Sequence, residues 1–169
     1  SDVLLGPEMK STGEVMGLDK TFLTAFIKSQ IAASNILPKK GNVFLSIDDS
    51  NKRRVLPIAI KLNKLGFKLI ATKGTNKFLR NYGLNVKIIK KVKEGKPHVV
   101  DSLLSKKIEL VINTTKSQSS IRDSYSIRRT SLKMNIPYYT TLAGASIAVK
   151  AIEALKKESL TVRNLQSIE

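Results

Sequence analysis

Cysteine is absent from this chain, and histidine occurs once, as His98. Disulfides, thiol catalysis and cysteine-based metal sites are therefore excluded from its 169 residues. A lone histidine also argues against a multi-histidine metal site or a His-based catalytic triad. Tryptophan is missing, and four tyrosines and five phenylalanines are the only aromatics. No apolar run approaches the roughly 20 residues of a helical membrane span, and no signal peptide is visible. Phosphate-binding signatures are missing too: there is no glycine-rich loop ending in Gly-Lys-Ser/Thr, and no G-x-G-x-x-G follows a strand. Acidic residues are scarce, 13 against 30 basic ones, which leaves a net charge of +17.

That charge invites a nucleic-acid reading, but its distribution argues otherwise. Lysines outnumber arginines 23 to 7 and are spread along the chain, with no basic helix interleaved with aromatics. A solvated lysine-rich surface, overlapping with a basic pocket for a phosphorylated small molecule, fits better. Hydrophobic content of 41% and charged content of 25% are those of a globular domain of ordinary size.

The segment from Gly6 to Gly17, Gly-Pro-Glu-Met-Lys-Ser-Thr-Gly-Glu-Val-Met-Gly, is loop-like and rich in glycine, with no apolar element after it until Phe22. A disordered leader would account for it. Its non-repetitive composition instead predicts the end of a preceding unit, so that the chain is a piece of a larger protein. From Thr21 to Ser34 the spacing of Phe22, Phe26, Ile27 and Ile31 predicts a helix, and residues 35–40 form a connector with Pro38.

Beyond residue 41 strands and helices alternate. Strands are predicted over 42–47, 68–72, 86–89, 109–113 and 137–140. The helices between and after them are predicted over 52–65, about 75–82, 97–105, 119–134 and 142–157. Gly66 and Gly83 read as C-terminal caps, and residues 160–165 as a last strand or tail. Alternation with short loops predicts an α/β fold: a doubly wound, mostly parallel five-stranded sheet with helices on both faces.

In such folds ligands bind beyond the carboxyl ends of the strands. There the chain places Asp48 to Lys52, Thr72-Lys73-Gly74-Thr75, Lys90 to Lys96, Asn113-Thr114-Thr115-Lys116 and Thr140-Thr141. Hydroxyls and backbone N–H groups at a helix start, with lysines nearby, suit a phosphate. Each has a plain alternative: Thr75 and Ser119 as helix caps, Asn113 as a strand end, His98 as a packing residue. It is their joint occurrence at five strand ends that favours an anion pocket. Of the carboxylates, Asp48 and Asp49 should point opposite ways, Asp101 sits one turn into a helix, and Asp123 lies mid-helix. None reads as a base beside the pocket.

The motifs Ala71-Thr72-Lys73-Gly74-Thr75, Lys91-Val92-Lys93-Glu94-Gly95-Lys96-Pro97-His98, Ile112-Asn113-Thr114-Thr115 and Ile127-Arg128-Arg129 together resemble the C-terminal regulatory domain of the carbamoyl phosphate synthetase large subunit, a methylglyoxal-synthase-like domain. The opening segment resembles the end of that subunit's second ATP-grasp half. The resemblance implies four parts: residues 1–19 as the ATP-grasp tail, 20–40 as helix and linker, 41–158 as the regulatory domain, and 159–169 as a C-terminal strand or tail.

It further implies that Lys52, Thr72, Thr75, Lys91, Asn113 and Thr115 hold a nucleotide effector of the UMP or IMP type, and that Tyr138 and Thr140 match an ornithine contact. Tyr139, Ala143-Gly144-Ala145 and Lys116 depart from the pattern of the ornithine-responsive members. The implied parent is a cytoplasmic ATP-dependent ligase, using ATP with Mg or Mn, for pyrimidine and arginine biosynthesis. Its implied partners are the catalytic half of the same subunit, a glutamine-amidotransferase small subunit and a nucleotide effector, with a homo-oligomer left open; no cofactor is expected in this piece. The lyase relatives use a Gly-Gly-Asp segment where this chain has Gly95-Lys96-Pro97-His98, with Asp101 displaced, so a stand-alone triose-phosphate lyase is the rejected alternative.

Overall fold

The computed structural model describes residues 21–22, 24–25, 37–115 and 121–168. The ATP-grasp tail expected over 1–19, most of the helix expected over 21–34, Lys116 and Ser119 lie outside the described residues; positions 21–22 and 24–25 are helical.

Five strands form one sheet: β1 (Asn42–Ser46), β2 (Lys68–Ala71), β3 (Val86–Ile88), β4 (Leu110–Asn113) and β5 (Tyr138–Tyr139). Every pairing is parallel and the order is β3-β2-β1-β4-β5. The helices are α1 (Lys52–Lys64), α2 (Lys73–Asn81), α3 (Val99–Leu104), α4 (Ile121–Lys133) and α5 (Leu142–Ile168). The winding starts at central β1, runs out through β2 to β3, then crosses back to β4 and β5. Crossovers of one hand therefore place the helices on opposite faces before and after the reversal.

Side-chain parity sorts the core accordingly. Val43, Leu45 and Ile47 of the β1 segment join Leu110 and Ile112 of β4 under Val55, Ala59 and Leu62 of α1 and Ala148, Ala151 and Ile152 of α5. Phe44, Val111 and Tyr138 face the other way, under Val99 and Leu103 of α3 and Ile127 of α4. Helix α1 runs through Pro57. Both Pro57 and Arg53, four residues earlier, are exposed, so the carbonyl that Pro57 cannot bond lies on the solvent side. Gly66 ends the helix as expected, at φ +95°, a conformation that costs glycine little.

Beyond one-residue shifts at other element ends, four features differ from expectation. Helix α2 begins at Lys73, not Thr75, because Thr72 is extended and its carbonyl accepts the Asn76 N–H at 2.7 Å, closing the first turn. Helix α3 begins after His98, not at Pro97, because Asp101 Oδ2 accepts the His98 N–H at 2.9 Å and fixes the cap there. Asp123 is in the first turn of α4 and buried, not mid-helix. The largest change is at the end: residues 160–168 are neither strand nor tail but continue α5. No glycine or proline follows Gly144, so nothing stops the helix.

Candidate functional site: the carboxyl rim of the sheet

Five buried polar residues gather at the carboxyl rim. Ser46, Thr72, Thr75, Asn113 and Thr114 are all at most 4% exposed. Ser46, Thr72 and Asn113 share the parity of Phe44, Ile70 and Val111, so they lie on the α3–α4 face, where the apolar core gives way to hydroxyls and amides.

The β2–α2 end is uncapped and cationic. Thr72 occupies the N-cap position of α2 but makes no side-chain cap bond. Its hydroxyl reaches toward Ser46 Oγ instead, at 3.4 Å. No acidic residue lies in the first turn. An α-helix start leaves N–H groups without intrahelical partners, and here no side chain of the N-cap residue takes one up. Gly74 in that turn presents no Cβ; one placed there would lie 3.1 Å from Lys52 Nζ. The Lys52 ammonium, ion-paired with exposed Asp49, thus hangs over the first turn of α2. The Thr75 hydroxyl accepts the Ile47 N–H at 3.0 Å and ties α2 to the end of β1.

The β4–β5 end is a neutral network. Asn113 Nδ2 donates to Tyr138 Oη at 3.0 Å and to Ser124 Oγ at 3.2 Å. Asn113 Oδ1 accepts from the Thr115 hydroxyl and from the Thr115 N–H at 3.2 Å. Thr115 Oγ1 and Ser124 Oγ are 3.2 Å apart. Three expected site residues, Asn113, Thr115 and Tyr138, are therefore in one cluster.

Between the two ends, Asp48 locks the mouth. It accepts hydrogen bonds from Asn51 Nδ2 at 2.8 Å, from Thr114 Oγ1 at 2.5 Å and from Ser50, while its own N–H donates to Thr114 Oγ1 at 3.2 Å. Burial raises the Asp48 pKa, but the bonds from Asn51, Ser50, Thr114 and its own backbone outweigh it and bring the value from 3.8 down to about 2. A carboxylate so stabilised is a poor proton acceptor. The Asp49 carboxylate turns outward, in keeping with the expected opposition of the two.

Lys91 and Thr140 are not drawn in by any contact with the other candidates among the described residues. Lys91, half-buried beyond β3, donates its backbone N–H to Glu94 Oε1 at 2.7 Å. Thr140 is exposed, whereas its expected companion Tyr138 turns inward to Asn113. Ser46 and Ser124 were not singled out from the sequence. Ser46 is the last residue of its strand, inside an apolar run. Ser124 lies in the first turn of the helix after β4, one step beyond the polar strand-end loop. Among the described residues no group of three or more His, Asp or Glu side chains could hold a metal ion, and no helix is long and apolar enough to cross a membrane.

Residues 54–140 match the family model of the MGS-like domain. The chain belongs to this family. Over 165 residues, 98% of its length, it is 54% identical to the carbamoyl phosphate synthase large chain of Brucella suis biovar 1 (strain 1330), of which it covers 14%. It is 49% identical over 172 aligned positions, 99% of its length, to the carbamoyl phosphate synthase large chain, C-terminal section, of Aquifex aeolicus (strain VF5), of which it covers 32%. The MGS-like chain thus spans a minor part of the relatives it matches. Among solved structures it resembles methylglyoxal synthase from Elizabethkingia anophelis NUHP1, with a TM-score of 0.56 and 24% identity, over 67% of this chain and 79% of that one. That likeness shows a shared fold.

Proposed function

We propose that this MGS-like chain is the regulatory domain at the C-terminal end of a carbamoyl phosphate synthase large chain, and that its carboxyl rim binds a nucleoside monophosphate. The observation that carries the binding reading is the uncapped start of α2 with the Lys52 ammonium over Gly74. Backbone N–H groups, a helix dipole and a cation converge there, which is what a phosphate dianion needs. The Asn113–Thr115–Ser124–Tyr138 cluster supplies hydroxyl and amide groups suited to a ribose. On this reading Thr72, Thr75 and Lys91 complete the phosphate end, and Tyr138 with Thr140 marks the side toward an ornithine-type effector.

ATP with Mg or Mn, the ligase chemistry for pyrimidine and arginine precursors and the contact with a glutamine-amidotransferase subunit belong to the catalytic half, in the cytoplasm. The domain contributes regulation: an effector that binds one state of the whole enzyme more tightly shifts it toward that state by that difference alone.

Triose-phosphate lyase activity finds no support in Asp48, Asp49 or Asp101. Asp48 is held at about 2 by its hydrogen bonds, Asp49 pairs with Lys52, and Asp101 caps α3. A lyase needs a carboxylate free to take a proton from the substrate carbon. The test is calorimetric titration of UMP and IMP, with inorganic phosphate as control. Saturable nucleotide binding tighter than phosphate is expected; its absence, or methylglyoxal release from dihydroxyacetone phosphate, would overturn the reading.

A further inference from the structure

The chain enters the sheet through residues 37–41, and that linker is held at three points. Leu37 is 4% exposed and lies in the same apolar cluster as Ala148, Ala151 and Ile152 of α5. Lys39 donates from Nζ to Ser159 Oγ at 2.6 Å, and its carbonyl accepts from Lys156 Nζ at 2.8 Å. The Lys156 ammonium also stands 5.9 Å from the centre of the Phe67 ring, within cation–π reach. Gly41 closes the linker at φ +119°, and a Cβ there would lie 2.4 Å from Glu109 Cδ. That carboxylate cannot retreat without losing the Asn42 N–H, which it accepts at 2.6 Å. The linker therefore has a fixed end at Gly41 and, before it, a seat built by α5.

The seat is not uniform along the helix. Ala151 and Ile152 are fully buried, and Glu153 pairs with Lys61 of α1 at 2.8 Å. Past that pair the burial falls away: Leu155 packs on the core only in part, and residues 157 and 158 are exposed. The bonds from Lys39 and Lys156 are at the surface, where each adds little on its own. A helix end depends on packing for its stability, and segments with few buried contacts open locally without unfolding the whole. Phe22, upstream of the linker, packs against the same apolar cluster as Leu155, so what precedes residue 37 also leans on this side of the domain.

We infer that residues 155–159 of α5 form a strap that clasps the linker and opens locally while the sheet stays folded, and so sets how freely the domain moves against whatever precedes the linker. On the reading above that is the catalytic part of a large chain, and only this last clause rests on it; the strap itself needs no nucleotide. Closed, Leu37 is covered and the Lys39 carbonyl is bonded, so the linker leaves the domain in one direction. Open, the pivot moves to Gly41, whose contact with Glu109 the opening does not touch. A few residues at the end of an element that absorb such a change are the usual form of a hinge, and any contact that favours one of the two states shifts the balance between them.

The chain has no cysteine, so a single introduced thiol reports on its own surroundings. In Leu37→Cys the thiol is covered while the strap is closed, and its reaction with a thiol reagent in native buffer measures opening. Labelling is expected to be faster than global unfolding allows and to depend little on urea. Adding Lys156→Met and Ser159→Ala is expected to speed it about tenfold, with the urea midpoint of the domain unchanged. The same two substitutions with Leu37 in place should raise tryptic cleavage after Lys39 and Lys40 by a similar factor, which keeps the test decisive if Leu37→Cys fails to fold. Labelling that occurs only through global unfolding overturns the inference. So does a pair of rates, thiol and tryptic, that the strap substitutions leave unchanged. A strap that opens as expected in a chain that binds no UMP upholds this inference and counts against the nucleotide reading alone.

Discussion

The two ends of the carboxyl rim use opposite chemistry. At the β2–α2 end there is a helix start without a side-chain cap and a lysine overhead. At the β4–β5 end, Asn113, Thr115, Ser124 and Tyr138 bond to one another. The first end offers attraction to any small anion; the second offers fixed directions that only a shaped polar ligand can match. In a chain with a net charge of +17, positive charge is a weak marker of a site because it is everywhere. An absent side-chain cap is shared with α1, so the informative feature at α2 is its combination with the Lys52 ammonium over Gly74. The halves are joined through Asp48 and Thr114, which hold the ends of β1 and β4 in register.

The comparison breaks most sharply at Lys52. Lys52→Met removes the ammonium over Gly74 while keeping the length of the side chain. A charge-assisted hydrogen bond contributes about 1.5–3 kcal/mol, so affinity for UMP and for inorganic phosphate should fall together by roughly ten- to a hundredfold. Lys52 is half-buried at the surface and its ion-pair partner Asp49 is exposed, so the melting temperature should scarcely move. Calorimetry with both ligands checks this. Loss of nucleotide affinity with phosphate affinity intact would mean that the anion sits elsewhere.

Thr75 tests whether the two ends are mechanically linked. Its hydroxyl accepts the Ile47 N–H in a position 1% exposed. Thr75→Val keeps the shape and leaves that N–H unpaired, at a cost of about 1–3 kcal/mol in urea unfolding, and Thr75→Ser should recover most of it. An unchanged unfolding midpoint in Thr75→Val would show that the bond to β1 adds nothing, and that any effect of Thr75 on ligands is direct.

These residues also show how far the chain could be read without coordinates. The five strands, the parallel sheet and the gathering of Lys52, Thr72, Asn113 and Thr115 at one edge were legible, because period and alternation are local signals and the parallel sheet orders the strand ends. The use to which each hydroxyl is put was not. Thr75 looks the same in sequence whether it faces a phosphate or a backbone N–H of another strand 28 residues away. Ser124 and Asp123 lie in a helix whose apolar periodicity hides which polar residues turn inward. The end of α5 was missed for another reason: Leu160-Thr161-Val162 has strand-like composition, but without a breaker, propensity yields to helix continuation.

Tyr138 sharpens the contrast between nucleotide and ornithine-type readings. Its hydroxyl accepts from Asn113 in the neutral network, so Tyr138→Phe should cost about 0.5–1.5 kcal/mol in stability and loosen Asn113. The expected result is a few-fold loss in UMP affinity with phosphate affinity preserved. Identical titrations of both ligands to wild type and variant would detach Tyr138 from the nucleotide end.

The smallest effect is the one at the join, and its sign is fixed by Asp48. The folded pKa of about 2 lies below the ordinary 3.8. The folded chain therefore holds this proton less tightly than the unfolded chain does. Asp48 accordingly stabilises the fold above its unfolded pKa, and that contribution disappears as pH falls from about 4 toward 2. Other carboxyl groups titrate in the same window, so the informative quantity is a difference: the stability of wild type minus that of Asp48→Asn, measured by urea unfolding at pH 7, 5 and 3. The gap should be equal at pH 7 and 5 and narrower at pH 3, because the variant has nothing to protonate at that position. A gap of the same size at all three values would mean that the bonds from Asn51, Ser50 and Thr114 serve an amide as well as a carboxylate, and that the two halves of the rim are joined by shape alone.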